Sequence, residues 1–498
     1  MEYVIGVDLG TSAVKALIVN QNGEVCGEAS ESYPLSTPKS GYSEQNPEHW
    51  VERTIAALRN AARQAGVDRS QIAGISFSGQ MHGLVLLDGQ KRVIRPAILW
   101  NDTRTTKQCR LIEETLGDRL LAAARNPALE GFTLPKLLWV MENEPDHFRR
   151  ASVFLLPKDY LRFRLTGRIH MDYSDAAGTL LLDVARKRWS DEICRAFGIP
   201  ESLCPPLVES QECVGTLLPE VAEAAGLSSA TRVFAGGADN ACGAVGSGIL
   251  EEGRTLCSIG TSGVVLTYER DASCDYRGKV HFFNHAKRDA FYLMGVTLAA
   301  GYSLSWFKDV FAPNESFDDL LRQVGDVPAG ANGLMFTPYL AGERTPYADA
   351  NIRASFIGMD AAHTRSDFVR AVMEGITFSL RDSLEIFREA GKTVGSIVSI
   401  GGGAKNDHWL QMQADVFNTT VLKLENEQGP GMGAAMLAAL GCGWFATLEQ
   451  CSARFIRVAR EFHPVPANAE RYEELYRIYT EVYGRTKPLN EKLAKFRR

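Results

Sequence analysis

Val4-Ile-Gly-Val-Asp8-Leu-Gly10-Thr11-Ser12 reads as a short apolar strand that ends in an acid and a Gly-Thr-Ser turn. Val14-Lys15-Ala-Leu-Ile-Val19 leaves the turn as a second strand, and Gln21-Asn22-Gly23-Glu24 supplies an Asn-Gly hairpin turn into a third. The chain therefore opens with an antiparallel meander. Half a chain length later the unit returns. Thr255-Leu-Cys-Ser-Ile259 is a strand, Gly260-Thr261-Ser262 turns, and Val264-Val-Leu-Thr-Tyr268 runs back. Two copies of one supersecondary unit, one in each half, would give that spacing. Three shared residues say little alone; the matching strand–turn–strand context carries the weight.

The size agrees with a duplicated architecture. A chain of 498 residues, 45% hydrophobic and 23% charged, has room for two or more cores. Its formal charge of −6 argues against nucleic acid as the main partner, while leaving anionic small molecules open because local donors override net charge. Ten cysteines without Cys-x-x-Cys pairs suggest reduced thiols in a cytoplasmic protein, not a disulfide frame or zinc site. Met1-Glu-Tyr-Val lacks the basic start of a signal peptide. The long uncharged run 429–448 is broken by Gly441 and Gly443, so it reads as a buried helix and no membrane partner is expected.

Between the repeats, Asn46-Pro-Glu-His-Trp50 caps and starts a helix. Residues 72–77 form a buried strand feeding the loop Gly79-Gln80-Met81-His82-Gly83, and 97–100 another strand feeding Asn101-Asp102-Thr-Arg104. Strand ends that run into polar loops are where open sheets carry ligands. Residues 111–160 are mostly helical, and 178–210 are mixed, with a small insertion. Strand 231–235 runs into Gly236-Gly-Ala-Asp239-Asn240-Ala-Cys-Gly243-Ala-Val-Gly246, a small-residue helix with one acid at its start. The pattern predicts two α/β domains, 1–248 and 249–498. The second contains a long helix over 367–388, a strand 394–400 ending in Gly401-Gly402-Gly403-Ala404-Lys405-Asn406, and a closing helix over 471–495. The last helices are candidates to pack back on the first domain.

The common nucleotide and hydrolase motifs are missing. Gly391-Lys392-Thr393 resembles the end of a Walker loop, but Ile386 stands where its first glycine belongs. No GxGxxG follows a strand, and no GxSxG elbow exists. The two Gly-Thr-Ser turns remain. Gly10, Thr11 and Ser12, with Gly260 and Thr261, offer backbone N–H groups and hydroxyls to phosphate oxygens from two sides. Lys15 can add a point charge, and Asp8 can hold Mg²⁺ through water. The competing reading is a pair of ordinary hairpins. Asp239 can cap its helix or, as a carboxylate among small residues, accept a hydroxyl proton during phosphoryl transfer. Residues 401–406 can let an adenine lie on bare backbone or simply make a tight turn. Gln80, Met81 and His82 are candidates for substrate contact. Trp100 is a weaker one, read first as core, and Asp102 is expected to pair with Arg104.

These residues resemble the FGGY family of carbohydrate kinases. The likeness spans nearly the whole chain, from Gly6-Val-Asp8-Leu-Gly-Thr-Ser12 to Gly429-Pro-Gly-Met-Gly-Ala-Ala435. It includes Gly131-Phe-Thr133-Leu-Pro-Lys136-Leu-Leu-Trp139 and Ala354-Ser-Phe356-Ile-Gly358-Met359, with Ala371-Val-Met-Glu374 beyond. The resemblance implies two ribonuclease-H-like domains of the actin/Hsp70-like ATPase type, with ATP in a deep interdomain cleft. It implies that Asp239 is the proton acceptor and that Asp8 stands near Mg²⁺ and the transferred phosphate. Gly260-Thr261 would lie on the phosphates, Gly402-Gly403-Ala404 on the adenosine, and Asn406 against the adenine. Met81-His82 in the loop after strand 72–77 is similar to the loops of members acting on D-xylulose, so a ketose acceptor is implied and ATP/ADP is the phosphate carrier. Ribulose, another pentulose or a polyol is the alternative within the family. Outside it, the same fold serves actin-like filaments and chaperone ATPases, against which the absence of a peptide-binding β-domain counts. The sequence leaves the oligomeric state open, a homodimer being one option.

Overall fold

The computed structural model describes residues 2–497. The opening repeat becomes strands β1 (Tyr3–Leu9), β2 (Ala13–Asn20) and β3 (Val25–Ser32), paired antiparallel in succession. Helix α1 (Pro47–Ala65) follows, with the Asn46 side chain accepting from the Glu48 N–H and Gly66 closing it at φ 62°. Strand β4 (Ile72–Gly79) then returns beside β1 and parallel to it. After a long insertion that contains α2 (Thr133–Asn143) and α3 (Pro157–Thr166), the sheet is completed by β5 (Cys213–Thr216) and β6 (Arg232–Phe234). Its order is β5-β6-β4-β1-β2-β3, and Gly237–Ala238 adds a short seventh strand against β4. That last pairing leads straight into α4 (Asp239–Gly246).

The second half repeats the plan. Strands β7 (Gly253–Ile259) and β8 (Gly263–Glu269) form the returning hairpin, β9 (His281–Asn284) and β10 (Phe291–Thr297) extend it, and β11 (Val394–Gly401) and β12 (Thr420–Leu424) lie parallel on its other side. With β13 (Val458–Phe462) the order is β9-β10-β8-β7-β11-β12-β13. Each sheet therefore has a meander whose first strand takes a parallel neighbour, and then another. This is the two-domain α/β architecture that the repeat predicts. Central β1 shows why it forms: Val4, Ile5, Val7 and Leu9 have no exposure, as a strand covered on both faces requires.

In the second half, α5 (Gly301–Phe311) follows β10, and α6 (Arg365–Glu389) starts two residues before the predicted point because Thr364 and Asp367 form a capping box. Helices α7 (Asp407–Phe417), α8 (Gly429–Gly441) and α9 (Leu448–Phe455) alternate with the strands. The run 429–448 is thus α8, buried over 431–439 as expected, and a partly exposed exit; among the described residues no helix is long and apolar enough to cross a membrane.

Closing helix α10 (Pro466–Leu493) begins five residues before the predicted start, because Pro466 suits its first turn. Its Tyr472, Tyr476 and Tyr479 pack on Phe378 of α6, so this last helix stays in the second half. It is α8 that crosses over. A Cβ on Gly6 of β1 would lie 2.0 Å from the Gly431 carbonyl, so the helix backbone rests directly on the first sheet. Gly433 is equally tight against α4: a Cβ there would lie 1.8 Å from the Cys242 carbonyl. Glycine at both places lets α8 wedge between the first sheet and the helix that carries Asp239.

Segment 178–210 holds a hairpin, Leu182–Asp183 with Arg188–Trp189, and a short helix. It meets the edge of the second sheet: Asn284 Nδ2 donates to Val184 O at 3.1 Å, and Lys187 Nζ lies 3.4 Å from Asp289.

Candidate active site

One cavity opens between the halves and a second lies within the second half, and one hairpin stands between them. The first, about 260 Å³, is walled by Met81, His82, Trp100, Phe132, Asp239 and Asn240, with Ser262, His281, Phe283, Val296 and Arg344 from the second half. The second, about 350 Å³, is walled by Gly260, Thr261, Gly301, Ser305, Gly402, Gly403, Lys405 and Asn406. Residues 260–262, the exposed tip between β7 and β8, thus present Gly260 and Thr261 to one cavity and Ser262 to the other.

Asp239 opens α4, where the strand at Gly237–Ala238 ends against β4. Its Oδ1 accepts from Asn240 N at 2.7 Å and from Asn240 Nδ2 at 3.0 Å, while it does not cap its own helix, whose N-cap is Ala238. Burial first, and the charge of Asp8 second, push its pKa up to about 7. A carboxylate so tuned is a base poised near neutrality. Asp8, on β1, accepts from Ser78 Oγ at 3.0 Å, and burial raises its pKa also. The two acids feel one another. Lys15 opposes Asp8 across the β1–β2 ladder and partly offsets its burial, yet its Nζ is committed to Gln428 Oε1 at 2.7 Å and Glu28 at 3.1 Å.

His82 lies at φ 69°, a left-handed conformation held in place by its surroundings. Its carbonyl accepts from Thr133 Oγ1 at 3.0 Å and from Lys136 Nζ at 3.3 Å, both on α2. Buried Lys136 also donates to the carbonyls of Gly131 and Phe132, and burial pushes its pKa down to about 7. The His82 ring packs on Phe132 at 4.5 Å and its Nδ1 lies 2.7 Å from Gly178 O. Burial pushes the imidazole pKa down to about 3, so it is neutral. Since a carbonyl can only accept, Nδ1 carries the proton and Nε2 is left as an acceptor. Met81 is fixed through its sulfur, 3.6 Å from Asn240 Nδ2 and 3.9 Å from Tyr292 OH.

Several expected residues sit elsewhere than predicted. Trp100 is not core: it is 46% exposed, lines the first cavity and donates from Nε1 to Thr11 Oγ1 at 2.9 Å. Gln80 faces away from the cavity. It is buried beneath the first turn, where Thr11 Oγ1 donates to its Oε1 at 3.2 Å and its Nε2 reaches Gln45 Oε1 at 3.3 Å. Gly10, Thr11 and Ser12 line neither cavity and join the first one only through Trp100. Ala404 is turned inward, 5% exposed, while its neighbours Gly402, Gly403 and Lys405 line the second cavity. Asn406 spends its oxygen on capping α7, accepting from Trp409 N at 3.0 Å, which leaves its amide hydrogens free for a ligand. Asp102 and Arg104 do pair, at 2.6 Å. Lys392 of the false Walker fragment pairs with Glu269 at 2.7 Å.

Sequence reasoning missed Asn240, Ser262, Phe132, His281 and Arg344 as cavity residues. Asn240 and Ser262 adjoin residues it singled out. Phe132 lies within the quoted Gly131–Trp139 stretch and Arg344 in a family-like loop, but neither was given a place in the cavity, and His281 arrives from a strand edge that no local motif marks.

A duplicated ribonuclease-H-like pair, with an acid of raised pKa in one cavity and a Gly-Thr turn in the next, defines a phosphotransferase of the sugar-kinase class. The model of the FGGY family of carbohydrate kinases matches its N-terminal domain to residues 3–246 and its C-terminal domain to 255–442. The chain belongs to that family. It is 64% identical over 498 residues, all of both chains, to the xylulose kinase of Bacillus subtilis (strain 168). The structure of ligand-bound xylulose kinase from Lactobacillus acidophilus superposes with a TM-score of 0.94 at 26% identity, covering 99% of this chain and all of that one. The gluconate kinase of Lactobacillus acidophilus superposes with a TM-score of 0.93 at 26% identity over all of both chains. Backbone likeness at that level does not choose the sugar.

Proposed function

We propose that the protein transfers the γ-phosphoryl group of ATP to the 5-hydroxyl of D-xylulose, giving D-xylulose 5-phosphate and ADP. The observation that carries this reading is the hairpin tip between the cavities. A nucleotide lying along Gly402–Gly403 would bring its phosphates to Gly260 and Thr261, one residue from the cavity that holds Asp239. D-Xylulose is favoured as acceptor by the near relative at 64% identity, which is a xylulose kinase.

In the first cavity the neutral Nε2 of His82 accepts a sugar hydroxyl, Asn240 and the Met81 segment hold the chain of the sugar, and Trp100 closes the outer wall. Asp239 accepts the proton of the reacting hydroxyl as the new O–P bond forms and the bond from the γ-phosphorus to the β,γ-bridging oxygen breaks. ADP leaves with the electron pair. The donors at Gly260 and Thr261 offset charge on the transferring group. Asp8 is suited to holding Mg²⁺ through water; when bound, the ion would neutralise phosphate charge. The phenylalanines and Trp100 keep water, the competing acceptor, from the reacting phosphorus.

The test is a coupled ADP-release panel with D-xylulose, D-ribulose, gluconate and glycerol at equal concentration. D-Xylulose should give the highest kcat/KM. A higher value on gluconate or D-ribulose would replace the substrate while leaving the chemistry intact.

A further inference from the structure

One charged group in the first cavity has no hydrogen-bonded partner. Arg344 comes from the second half, on the loop Gly342-Glu343-Arg344-Thr345, and its side chain makes no hydrogen bond or ion pair among the described residues. It is half-buried, and desolvation lowers its pKa, with the charges of Glu130 and Glu343 only partly offsetting that. A half-buried guanidinium whose N–H donors make no hydrogen bond is costly unless a ligand supplies the oxygens.

The loop that carries it is pinned, so the side chain is not a loose surface arm. Glu343 Oε1 accepts from Leu298 N at 3.0 Å and from Arg344 N at 2.8 Å, and its Oε2 accepts from Ser379 Oγ at 2.9 Å. Thr345 N donates to Val296 O at 3.0 Å, and Val296 N to Thr345 Oγ1 at 3.0 Å. Glu343 is therefore spent on backbone and Ser379, and leaves the neighbouring guanidinium unpaired.

Its position differs from that of the base. Arg344, Leu129 and His281 are shared between the first cavity and an adjoining one of about 210 Å³, whereas Asp239 belongs to the first alone. The guanidinium thus stands where the two cavities meet, at a boundary that Asp239 does not line.

We propose that Arg344 reads the end of the sugar remote from the reacting hydroxyl, its planar fork donating to the 1-hydroxyl and 2-carbonyl oxygens of a 2-ketose. This rests on the reading of the site as a ketose kinase and adds a specificity-determining residue from the half opposite the base. Sugar held between Arg344 and the His82 loop links the two halves, so acceptor binding draws the cleft together.

The experiment is a cycle between residue and ligand. D-Xylulose and 1-deoxy-D-xylulose are compared on the wild type, Arg344→Met and Arg344→Lys, with KM for ATP measured alongside. In the wild type, loss of the 1-hydroxyl should lower kcat/KM about tenfold or more, the range for a hydrogen bond to a charged group. In Arg344→Met, D-xylulose itself should fall 10- to 100-fold, the penalty for the missing hydroxyl should shrink to within twofold, and KM for ATP should hold. Arg344→Lys should recover part of the discrimination, which a misfolded protein would not. An equal penalty in wild type and Arg344→Met overturns the assignment, as does a rise confined to the KM for ATP. A wild type that turns over neither sugar sinks the ketose-kinase reading instead.

Discussion

The two Gly-Thr-Ser turns began as one unit and now differ in almost every respect that matters. At β1–β2 the ladder closes at Leu9 and Val14, so four residues make the turn; at β7–β8 it closes at Ile259 and Gly263, so three do. Before the first turn stands Asp8, and at the matching place before the second stands Ser258. The first is braced on all sides: Tyr33 OH donates to Gly10 O, Gln80 and Trp100 engage Thr11, and Gln45 Nε2 donates to Thr11 O at 2.7 Å. The second is held by backbone alone, Gly301 N donating to Gly260 O at 2.8 Å and Tyr302 N to Thr261 O at 3.1 Å, and its three residues are exposed between two cavities. One copy has become a rigid seat for an acid, and the other has stayed open to a ligand. A repeated backbone thus supplies two different functions through the side chains around it.

The sharpest way to break this division is at the acid-bearing half. Asp239→Asn should lower kcat by about 10²–10⁴, the usual contribution of a general base, with the KM for ATP nearly unchanged. Survival of activity within tenfold would remove Asp239 from the chemistry.

The next effect is the pH profile. Asp239 works ionised, and its pKa is pushed up to about 7, so kcat/KM for the sugar should fall about tenfold per unit below pH 7. Stability moves the other way. Unfolded, the group ionises near 3.8, while the folded chain keeps its proton to about 7. Wild-type stability is therefore lost as pH rises between those values, and nothing more from this group is lost above them. Thermal melts should show Asp239→Asn more stable than wild type at pH 8, with the gap closing toward pH 4. A gap independent of pH would mean that burial does not set this pKa.

A pair of substitutions then compares the turns directly. A Cβ on Gly260 meets only Ser262 O, at an ordinary 3.6 Å, whereas one on Gly10 lies 3.1 Å from Ala13 O. Gly260→Val should fold normally and raise the KM for ATP roughly tenfold, about 1.4 kcal/mol of lost binding. Gly10→Val should instead lower Tm and leave that KM close to wild type. Equal effects on the KM for ATP would make the turns functional equals.

Much of this was legible before any coordinates. Strand periodicity and the repeated turn gave both sheets, because central strands covered on two faces leave an unmistakable apolar run. Asp239 stood out because one acid among glycines and alanines has few structural duties. What could not be read was the direction of single side chains. Trp100 looked like core, since large aromatics usually are, but the strand ends at Ile98 and the tryptophan falls on the loop beyond it. Gln80 and Met81 are neighbours on one loop, yet one turns beneath the first hairpin and the other into the cavity. Arg344 and His281 enter the site from the opposite half, by contacts that span more of the chain than any local motif covers.

The smallest expected effect tests whether bracing of the first turn reaches the sugar. Thr11 Oγ1 accepts from Trp100 Nε1 and donates to Gln80, so one hydroxyl joins the buried amide below to the exposed indole at the cavity wall. Thr11→Val keeps the shape of the side chain and deletes both bonds. A neutral hydrogen bond contributes about 1 kcal/mol net, and the Trp100 bond lies at an exposed position where water substitutes in part. The sugar KM should therefore rise only about threefold to fivefold, with kcat and the KM for ATP unchanged. If the KM for ATP rises instead, Thr11 touches nucleotide after all, and the first turn grips phosphate as its twin does. If neither moves, the indole is held by its own packing and the link between turn and wall is incidental. The size of the shift matters less than which substrate shows it, because the two halves of the comparison predict opposite columns of the same small table of kinetic constants.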